Sequence, residues 1–290
     1  MGGCCQVSEY EIDDVARAVV ADFRKRSRTG VGCVAGPTHG NPLPAHARFS
    51  RCIDHTLLRP EATRTDIERL CEQAVEHEFA AVCVNGAWVS LCKERLCDTK
   101  VSVAAVVAFP LGAATSSAKA RETEELVDAG ADELDVVAAI GHVREGSWNY
   151  VEDDVRSVVE SAAGRIVKVI LETAALEPFQ IVKGALLAKR AGARFVKTST
   201  GFHPSGGASP EAVALLRLAV GDDVGVKASG GIRDCTSALR MLAAGATRIG
   251  TSSAIGLARC LGLSTTPLRE LVSDPERHAA VCETARREHG

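Results

Sequence analysis

One stretch of the chain reads Ala191-Gly192-Ala193-Arg194-Phe195-Val196-Lys197-Thr198-Ser199-Thr200-Gly201. The Ala-Gly-Ala triplet follows a helical pattern, and glycine at such a point is typical of a left-handed helix cap. The apolar run after the triplet predicts a strand, on which Lys197 and Val196 point to opposite faces. The same triplet recurs at 129–131 and 244–246, each time between a helical pattern and a strand. The chain therefore contains repeated helix–strand units.

Eight short β-branched runs alternate with helical patterns along the chain. Strands that alternate with helices predict a parallel sheet, and eight such units is the number that closes a barrel. The predicted strands are Arg51–Thr56, Ala81–Val84, Val101–Val107, Glu133–Val137, Ile166–Leu171, Phe195–Thr198, Val224–Lys227 and Thr247–Gly250. The predicted helices between them include Thr65–His77, Ala118–Ala129, Tyr150–Ala162, Pro178–Ala191, Pro210–Val220 and Thr236–Ala244. The sequence predicts an α/β fold, a TIM (β/α)8 barrel over residues 49–262.

The segments on either side of the barrel are expected to be additions to it. Residues Ser8–Arg28 have apolar side chains at helical spacing, and Ser8 with Glu11 makes a capping box, so one amphipathic helix is predicted. Thr29–Ala47 is rich in glycine and proline and predicts a loop. We therefore expect an N-terminal helix and loop extension over 1–48 that packs outside the barrel, and a helical C-terminal tail over 263–290.

The composition indicates a large α/β domain without a polyanionic partner. Of the 290 residues 46% are hydrophobic and 4% aromatic, so the core is expected to consist of Val, Ala, Leu and Ile. The net charge is −3 and the basic residues are scattered, which argues against a nucleic-acid surface. The 11 cysteines include no CxxC pair and no zinc-ligand spacing, and Cys71 and Cys83 lie in apolar patterns. We expect a reducing compartment and no bound metal.

No membrane attachment is expected either. The chain has no recognisable secretory signal and no apolar stretch of the roughly 18 residues that a spanning helix needs. Gly2, Cys4 and Cys5 are similar to an acylation signal, but Gln6 stands where that motif requires Ser or Thr. We therefore expect a cytoplasmic protein without lipidation.

Lys197 ends a predicted strand and is followed at once by hydroxyl side chains and glycine. If it points into the barrel, desolvation disfavours its charged form and lowers its pKa. A lysine whose amine is free at neutral pH is the nucleophile of Schiff-base chemistry. The alternative, from this stretch alone, is a lysine that merely ends a strand and extends its charge to water.

Three further ionisable residues accompany Lys197 on the predicted strands. Lys227 ends the next strand, and two ammonium groups on neighbouring strands lower each other's pKa. Asp135, near the end of the fourth strand, is suited to shuttle protons at a reacting carbon. Lys168 lies earlier in its strand and hence deeper, where it would keep Asp135 ionised. Each lysine alone could be structural and Asp135 a charge partner only, but two lysines at adjacent strand ends of a barrel favour a functional site.

Glycine-rich segments follow the last two predicted strands. Gly230 and Gly231 follow the seventh, and Gly250–Ser253 follow the eighth before a helix that is expected to begin near Ala254. Loops after strands 7 and 8, together with a helix N-terminus, form the usual phosphate site of barrels. Ser252 alone could be a helix cap, but the two loops together predict phosphate binding. The candidate phosphate-binding residues are Gly201, Gly230, Gly231, Ser252 and Ser253.

Several longer motifs occur in order between about Arg51 and Leu261. They are Asp54–Leu58, Ala131–Asp135, Lys168–Thr173, Phe195–Gly201, Val226–Arg233 and Gly245–Ser253. In sequence and spacing they resemble the deoxyribose-phosphate aldolase family. The resemblance implies a class I aldolase on a TIM barrel, without metal or cofactor. Such an enzyme cleaves 2-deoxy-D-ribose 5-phosphate to D-glyceraldehyde 3-phosphate and acetaldehyde.

The resemblance also implies roles for individual residues. Lys197 resembles the Schiff-base lysine, Asp135 the proton-shuttling acid and Lys227 the lysine that assists it. Asp54 and Thr56 resemble a pair that lines the substrate site at the end of the first strand. We expect a phosphorylated sugar as substrate, a role in deoxyribonucleoside and deoxyribonucleotide catabolism, and a homo-oligomer, a dimer, as the assembly.

Two other functions stay open at this point. Another Schiff-base barrel lyase would act on a different phosphorylated sugar. A catalytically silent relative would bind a phosphometabolite and serve as a scaffold or regulator. The intact Asp135, Lys197 and Lys227 argue against the silent relative, because a non-enzyme has no reason to hold two desolvated lysines.

Overall fold

Parallel strands form a closed barrel in the order in which they occur along the chain. The structure is a computed structural model that describes residues 9–28, 43, 47–262 and 267–275. The strands are β1 Ile53–Leu57, β2 Ala81–Val84, β3 Ser102–Val107, β4 Glu133–Val137, β5 Ile166–Ile170, β6 Phe195–Lys197, β7 Gly225–Ser229 and β8 Arg248–Thr251. Each pairs with the next, and β8 pairs back with β1. The predicted TIM (β/α)8 barrel is confirmed.

Helices surround the barrel and connect its strands. They are α1 Glu9–Arg28, α2 Arg64–Glu76, α3 Val89–Leu96, α4 Ser116–Asp128, α5 Ile140–Glu145, α6 Trp148–Ser161, α7 Pro178–Arg190, α8 Pro210–Val220, α9 Cys235–Ala243, α10 Ala254–Gly262 and α11 Leu268–Ser273. All the helices predicted between the strands are present, with ends shifted by a residue or two. The short helices α3 and α5 were not predicted. Residues Phe49–Cys52 form a 3-10 helix, so β1 begins later than expected.

The two faces of the barrel wall differ in chemistry. Outward side chains such as Val196, Val226 and Ile249 are fully buried in the main hydrophobic core, between the strands and the helices. Inward side chains alternate with them because successive residues of a strand point to opposite faces. On β2 and β3 the inward side chains are uncharged and belong to a smaller cluster: Ala81, Cys83, Ala104 and Val106. The other strands carry ionisable groups inward.

The N-terminal helix α1 packs on the outside of the barrel, against α7 and α8. Its apolar face is buried, with Ile12 5%, Ala16 0% and Val20 7% exposed. A carboxylate oxygen of Asp13 lies 2.5 Å from the amine of Lys183 on α7, and Lys183 is itself buried. The helix predicted from Ser8 to Arg28 is therefore present over its described length and is held by apolar contacts and an ion pair.

Several predictions fall on residues outside the described part of the chain. These include the Ser8 cap, the Gly2, Cys4 and Cys5 segment, and most of the predicted loop at 29–47. In the predicted C-terminal tail the described residues 267–275 contain α11. The division into an extension over 1–48, a barrel over 49–262 and a tail over 263–290 stays a prediction.

The described cysteines are largely small buried side chains, as expected. Cys71 and Cys83 are buried free thiols. Cys235 of α9 and Cys260 of α10, however, are paired as a disulfide. Their spacing of 25 residues carries no signal for this pair, which depends on how the two helices pack. Among the residues that the structure describes, no helix is long and apolar enough to cross a membrane.

Candidate active site

Lys197 is the last residue of β6 and reaches a cavity at the carboxyl ends of the strands. The cavity has a volume of about 310 Å³, and the strands that contribute to its wall are β1, β6, β7 and β8. Only 3% of Lys197 is exposed, and its side chain lines this cavity. The carboxyl ends of barrel strands are where enzymes of this fold carry their chemistry. The inward orientation predicted for Lys197 is thus observed, and Val196 points outward into the core.

Asp135 lies beneath the cavity, in contact with three amines. Its Oδ2 accepts hydrogen bonds from Lys197 at 2.8 Å and from Lys227 at 2.6 Å. Its Oδ1 accepts one from Lys168 at 2.5 Å. The barrel register explains this meeting, because Asp135 pairs with Lys168 across β4 and β5, and Lys197 pairs with Lys227 across β6 and β7. The four residues singled out on the predicted strands therefore form one cluster.

Burial and charge act in opposite directions on the carboxyl group of Asp135. Burial by itself raises its pKa, but the positive charges of Lys168, Lys197 and Lys227 outweigh burial and hold the pKa well below its usual value. Asp135 is therefore a carboxylate throughout the physiological range. This agrees with the expectation that Lys168 helps to keep it ionised.

The three amines around Asp135 differ in their pKa. Burial lowers the pKa of Lys197; Asp135 acts against this, and the charge of Lys227 adds to it, so the pKa ends below its usual value. Burial also disfavours the charge on Lys227, but Asp135 and Asp54 together raise its pKa. The pKa of Lys168 is raised as well, with Asp135 and Glu133 overcoming burial. Lys197 is thus the amine of the cluster that is most readily uncharged, as a nucleophile must be.

Asp54 and Thr56 occupy different depths of the barrel. Asp54 is fully buried, and its carboxylate accepts a hydrogen bond from the Lys227 amine. Burial raises the pKa of Asp54, but Arg248, Lys227 and Lys168 together bring it below its usual value. Thr56 lies nearer the rim and lines the cavity. Of this pair, Thr56 is in a position to touch a substrate, while Asp54 contacts the lysine beneath it.

Four of the five candidate phosphate-binding residues line the cavity with Lys197. They are Gly201, Gly230, Gly231 and Ser252. Ser253 is absent from the cavity wall, and its backbone N–H donates to the hydroxyl of Thr251 at 2.9 Å. Helix α10 begins at Ala254, as predicted, directly after these residues. The N-terminus of a helix and exposed backbone N–H groups are suited to bind an anion.

The loops after β6 and β7 touch each other at glycine. A Cβ on Gly207 would lie 2.3 Å from the carbonyl oxygen of Gly230, and a Cβ on Gly230 would lie 3.2 Å from the Cα of Gly201. The backbone N–H of Ala208 donates to the same Gly230 oxygen at 3.0 Å. Side chains at these positions would push the loops apart. Glycine is thus required here for close approach of the two backbones that form one side of the cavity.

Sequence reasoning missed the two arginines of the cavity wall. Arg59 and Arg233 line it, and Arg59 also pairs with Asp66 at 2.9 Å. A signal was present for Arg233, which follows the Gly230-Gly231 pair and so lies beside a predicted anion site. Arg59 follows the first strand and had no such neighbour in sequence. Within residues 9–28, 43, 47–262 and 267–275, no group of His, Cys, Asp and Glu side chains has the arrangement of a metal site.

The barrel carries a desolvated amine at its carboxyl-end rim, with a carboxylate in contact with the amine and a cavity lined by glycine. This arrangement is typical of enzymes that form Schiff bases. Comparison with known proteins defines the group further. Residues 50–262 match the model of the DeoC/LacD family aldolase. The chain belongs to this family of aldolases.

Curated relatives cover most of the chain. The deoxyribose-phosphate aldolase of Clostridium botulinum strain Langeland is 48% identical over 212 residues, which span 73% of this chain and 100% of the relative. That of Geobacillus sp. strain WCH70 is 50% identical over 210 residues, 72% of this chain and 94% of the relative. Each relative thus corresponds to about three quarters of this chain.

Solved structures share the fold. The tetrameric deoxyribose phosphate aldolase from Aeropyrum pernix has a TM-score of 0.67 and 28% identity, and covers 92% of this chain and 98% of that one. A second solved aldolase has a TM-score of 0.69 and 37% identity, and covers 74% of this chain and 98% of that one. Both agree with the family assignment.

Proposed function

We propose that this protein is a class I aldolase that cleaves 2-deoxy-D-ribose 5-phosphate to D-glyceraldehyde 3-phosphate and acetaldehyde. One observation carries the proposal: Lys197, the amine with a lowered pKa, ends in the same cavity as the glycine loops after β6 and β7 and Ser252 after β8. The names of the curated relatives support the choice of substrate. A phosphorylated aldehyde that is held by its phosphate at the loops brings its other end toward Lys197.

The first chemical step joins the substrate to Lys197. The neutral amine attacks the C1 aldehyde, and a carbinolamine forms. The hydroxyl of the carbinolamine leaves as water, with one proton supplied from the site, and a protonated imine remains. The ammonium groups of Lys227 and Lys168 hold their protons firmly, since their pKa values are raised. Asp135, in contact with the Lys197 amine, is proposed to carry protons between this amine, the substrate oxygens and solvent.

The imine then withdraws electrons from the bond that breaks. The C3 hydroxyl gives its proton to the Asp135 carboxylate, its oxygen forms the carbonyl of glyceraldehyde 3-phosphate, and the C2–C3 electron pair moves into the imine as an enamine. The enamine takes a proton at C2 after the first product leaves. Water then adds to the imine carbon, and acetaldehyde is released with Lys197 restored as an amine. The protonated imine is the electron acceptor throughout.

The phosphate is proposed to bind where glycine, serine and arginine meet. Gly201, Gly230, Gly231, Ser252 and Ser253 would supply backbone N–H groups and hydroxyls from two loops and the start of α10. The contribution of Ser253 stays a prediction, because it does not line the cavity and its backbone N–H donates to Thr251. The guanidinium of Arg233 adds a positive charge that none of those groups has. Charge-assisted hydrogen bonds to a phosphate are stronger than neutral ones.

The remaining expectations form part of the same proposal. The substrate is a small molecule, and neither nucleic acid nor membrane is required. A cytosolic enzyme of deoxyribonucleoside and deoxyribonucleotide catabolism would meet this sugar phosphate as a breakdown product. A homo-oligomer is proposed, and the structural relative from Aeropyrum pernix is a tetramer. The dimer expected from the sequence stays a prediction.

A coupled assay tests the function directly. Purified protein is given deoxyribose 5-phosphate, and acetaldehyde release is followed with an alcohol dehydrogenase and NADH. Ribose 5-phosphate serves as the matched control because it differs by one hydroxyl. Release from the deoxy sugar supports the proposal. Failure to cleave it, combined with borohydride trapping of another phosphorylated sugar on Lys197, would identify a different Schiff-base lyase.

Borohydride trapping also tests the silent relative. If the protein only binds a phosphometabolite, borohydride with acetaldehyde leaves the buried Lys197 without a reduced adduct. We expect an adduct on Lys197, which peptide mass mapping would locate. An adduct on Lys168 or Lys227, with Lys197 unmodified, would contradict the assignment of the nucleophile. EDTA is expected to leave turnover unchanged in this mechanism, and a loss that zinc restores would contradict it.

A further inference from the structure

A second layer of charge lies in the barrel interior beneath the four residues of the cluster. The Arg248 side chain of β8 crosses the interior and donates from one terminal nitrogen to both carboxylate oxygens of Glu133 on β4, at 2.7 and 2.8 Å. Its Nε donates to Asp54 of β1. Glu133 and Asp54 are both buried. Neither Arg248 nor Glu133 lines the cavity, and the mechanism above uses neither of them.

The two layers form one continuous network. The Lys168 amine lies 2.7 Å from a carboxylate oxygen of Glu133, 2.5 Å from one of Asp135 and 3.7 Å from one of Asp54. Lys227 joins Asp54 to Asp135 from the other side. Arg248 and Glu133 are therefore connected to Lys197 by an unbroken series of side chains in direct contact.

The ionisable groups of the interior can be assigned to the strands one by one. They are Asp54 on β1, Cys83 on β2, Glu133 and Asp135 on β4, Lys168 on β5, Lys197 on β6, Lys227 on β7 and Arg248 on β8. Strand β3 contributes Ala104 and Val106, which do not ionise. Burial raises the pKa of the Cys83 thiol, and it raises that of Cys52, which precedes β1 and interacts with Arg248 and Asp54, to about 11, so both thiols stay neutral. Glu172 after β5 is buried and holds Thr200, and the cavity above is lined by Arg59 and Arg233.

The charges inside the barrel balance when one amine is neutral. The fixed cations are Arg248, Lys168 and Lys227, and their raised pKa values keep them charged. Against them stand the carboxylates of Glu133, Asp54 and Asp135. Three cations thus meet three anions while Lys197 is uncharged, and a proton on Lys197 would leave one positive charge in excess. Unbalanced charge in a buried site is costly.

We propose that Arg248 and Glu133 are positioning residues that set this balance, in which Arg248 favours the uncharged, nucleophilic form of Lys197 and Glu133 opposes it. Arg248 cancels one carboxylate that would otherwise favour a proton on Lys197. Glu133 neutralises one cation that would otherwise disfavour a proton on Lys197. The inference rests on the proposed role of Lys197 as the imine-forming amine, but it does not depend on which sugar is cleaved.

Neutral variants of the two residues should shift the pKa of Lys197 in opposite directions. In Arg248→Gln, three carboxylates face two fixed cations, so a proton on Lys197 restores balance and its pKa rises. In Glu133→Gln, two carboxylates face three fixed cations, so a proton on Lys197 is further disfavoured and its pKa falls. Charges that interact across a protein interior shift each other's pKa by about one unit. In the double variant the pKa of Lys197 should return toward its value in the unaltered protein.

The experiment measures the amine and not turnover. The full chain is incubated with acetaldehyde and cyanoborohydride over a range of pH, and the rate of adduct formation on Lys197 is followed by mass spectrometry. Ionisation of Lys197 sets the midpoint of the rising limb. We expect this midpoint to move up by about one pH unit in Arg248→Gln and down by about one in Glu133→Gln. Arg248→Lys, which keeps the charge, should move it least.

A buried ion pair away from the site provides the matched control. Lys119 and Asp154 lie 2.6 Å apart with side chains 0% and 2% exposed, between α4 and α6. Asp154→Asn should destabilise the fold and leave the pH midpoint of trapping unchanged. Should Arg248→Gln not fold, Glu133→Gln alone decides, because damage to packing does not make an amine more reactive at lower pH.

The possible failures are distinguishable. If the unaltered chain forms no adduct on Lys197, the proposed function is wrong. If it forms the adduct but Glu133→Gln and Arg248→Gln keep its pH midpoint, or shift it in the same direction, the role of the two residues is wrong while the aldolase assignment stands.

Discussion

The outer and inner faces of the barrel wall carry different chemistry on the same strands. Facing outward, β-branched and leucine side chains merge into one buried apolar layer, including Val82, Val103, Leu134, Val136, Val167, Val169, Val196, Val226 and Ile249. Facing inward, the same wall holds a network of ions, namely Asp54, Glu133, Asp135, Lys168, Lys197, Lys227 and Arg248. Successive residues of one strand therefore lie in two different environments.

The difference indicates which layer stabilises the barrel and which one reacts. Burial of apolar surface is favourable by about 25 cal/mol per Å², whereas a buried ion pair often contributes little net stability because its desolvation is costly. The outer layer is thus expected to hold the fold together. The inner layer is expected to set the charge state of Lys197. Substitutions on the two faces should separate stability from turnover.

The largest effect on turnover is expected for Lys197→Leu. Without the amine no imine forms, so activity should fall by several orders of magnitude at every pH, as when other covalent nucleophiles are removed. The fold should persist, because leucine is compatible with the apolar part of the interior. Turnover assays between about pH 6 and 10, with circular dichroism as the folding control, would check this. Residual aldolase activity near that of the unaltered chain would place the nucleophile elsewhere.

Lys227→Leu should give a smaller and pH-dependent loss. Lys227 stays charged, and its ammonium lowers the pKa of Lys197 together with burial. Its removal raises that pKa by about two units, so the free amine near pH 7.5 falls about a hundred-fold. Activity should therefore recover in part toward pH 9 to 10, as Lys197 loses its proton again.

The shape of that profile distinguishes two roles of Lys227. A rising alkaline limb supports its electrostatic role. A uniformly low profile would mean that Lys227 acts through proton relay with Asp135 or through geometry alone. Lys197→Leu is the matched control, since it should show no recovery at any pH.

Removal of the N-terminal extension should affect stability more than turnover. A chain that begins at Ala47 loses Ile12, Ala16 and Val20, which are buried against the barrel helices, and exposes Lys183. Burial of an isoleucine or valine side chain contributes about 1.5–3 kcal/mol, so the midpoint of thermal unfolding should fall clearly. Turnover per folded molecule should be retained because the residues of the cavity wall all come later in the chain.

A pair of variants on α1 sharpens this prediction. Val20→Ser, on the buried face, should lower the unfolding midpoint, while Val15→Ser should not, since Val15 is 46% exposed. A shortened chain that folds normally and has lost its turnover would show that the extension takes part in the chemistry.

The smallest effect on turnover is expected for Val196→Ala, directly beside Lys197. Val196 is fully buried in the outer layer, and loss of two methyl groups should destabilise the protein by about 2 kcal/mol. Urea unfolding measures the loss, and an assay well below the unfolding transition measures turnover. A fall in turnover like that of Lys197→Leu would contradict the separation of the two faces.

Much of this structure follows from periodicity in the sequence. Alternation along short strands predicts that Lys197 points inward, and the recurring Ala-Gly-Ala triplets mark where strands begin. Together they predict the closed barrel and bring Asp135, Lys168, Lys197 and Lys227 to one place. The register between neighbouring strands then places Asp135 beside Lys168 and Lys197 beside Lys227.

Other features depend on three-dimensional contacts and have little signal in sequence. Helix α3 is only eight residues long, and a short segment has too few turns for a clear helical period. The link from Arg248 to Glu133 spans 115 positions and crosses the barrel, so no local pattern reveals it. Ser253 is a different case: its position in a glycine- and serine-rich loop predicts a ligand, but its backbone N–H turns to Thr251.

The pairing of β8 with β1 also has a consequence for how the protein folds. Asp54 meets Lys227 and Arg248, which are 173 and 194 positions away along the chain. Contacts between such distant segments form slowly, because the entropy of a long loop must be lost first. Helices and neighbouring strand pairs can assemble earlier, from contacts that are close in sequence. A chain with nearly all of its helical content can therefore still lack a reactive Lys197, and the nucleophile appears when the first strand closes on the last.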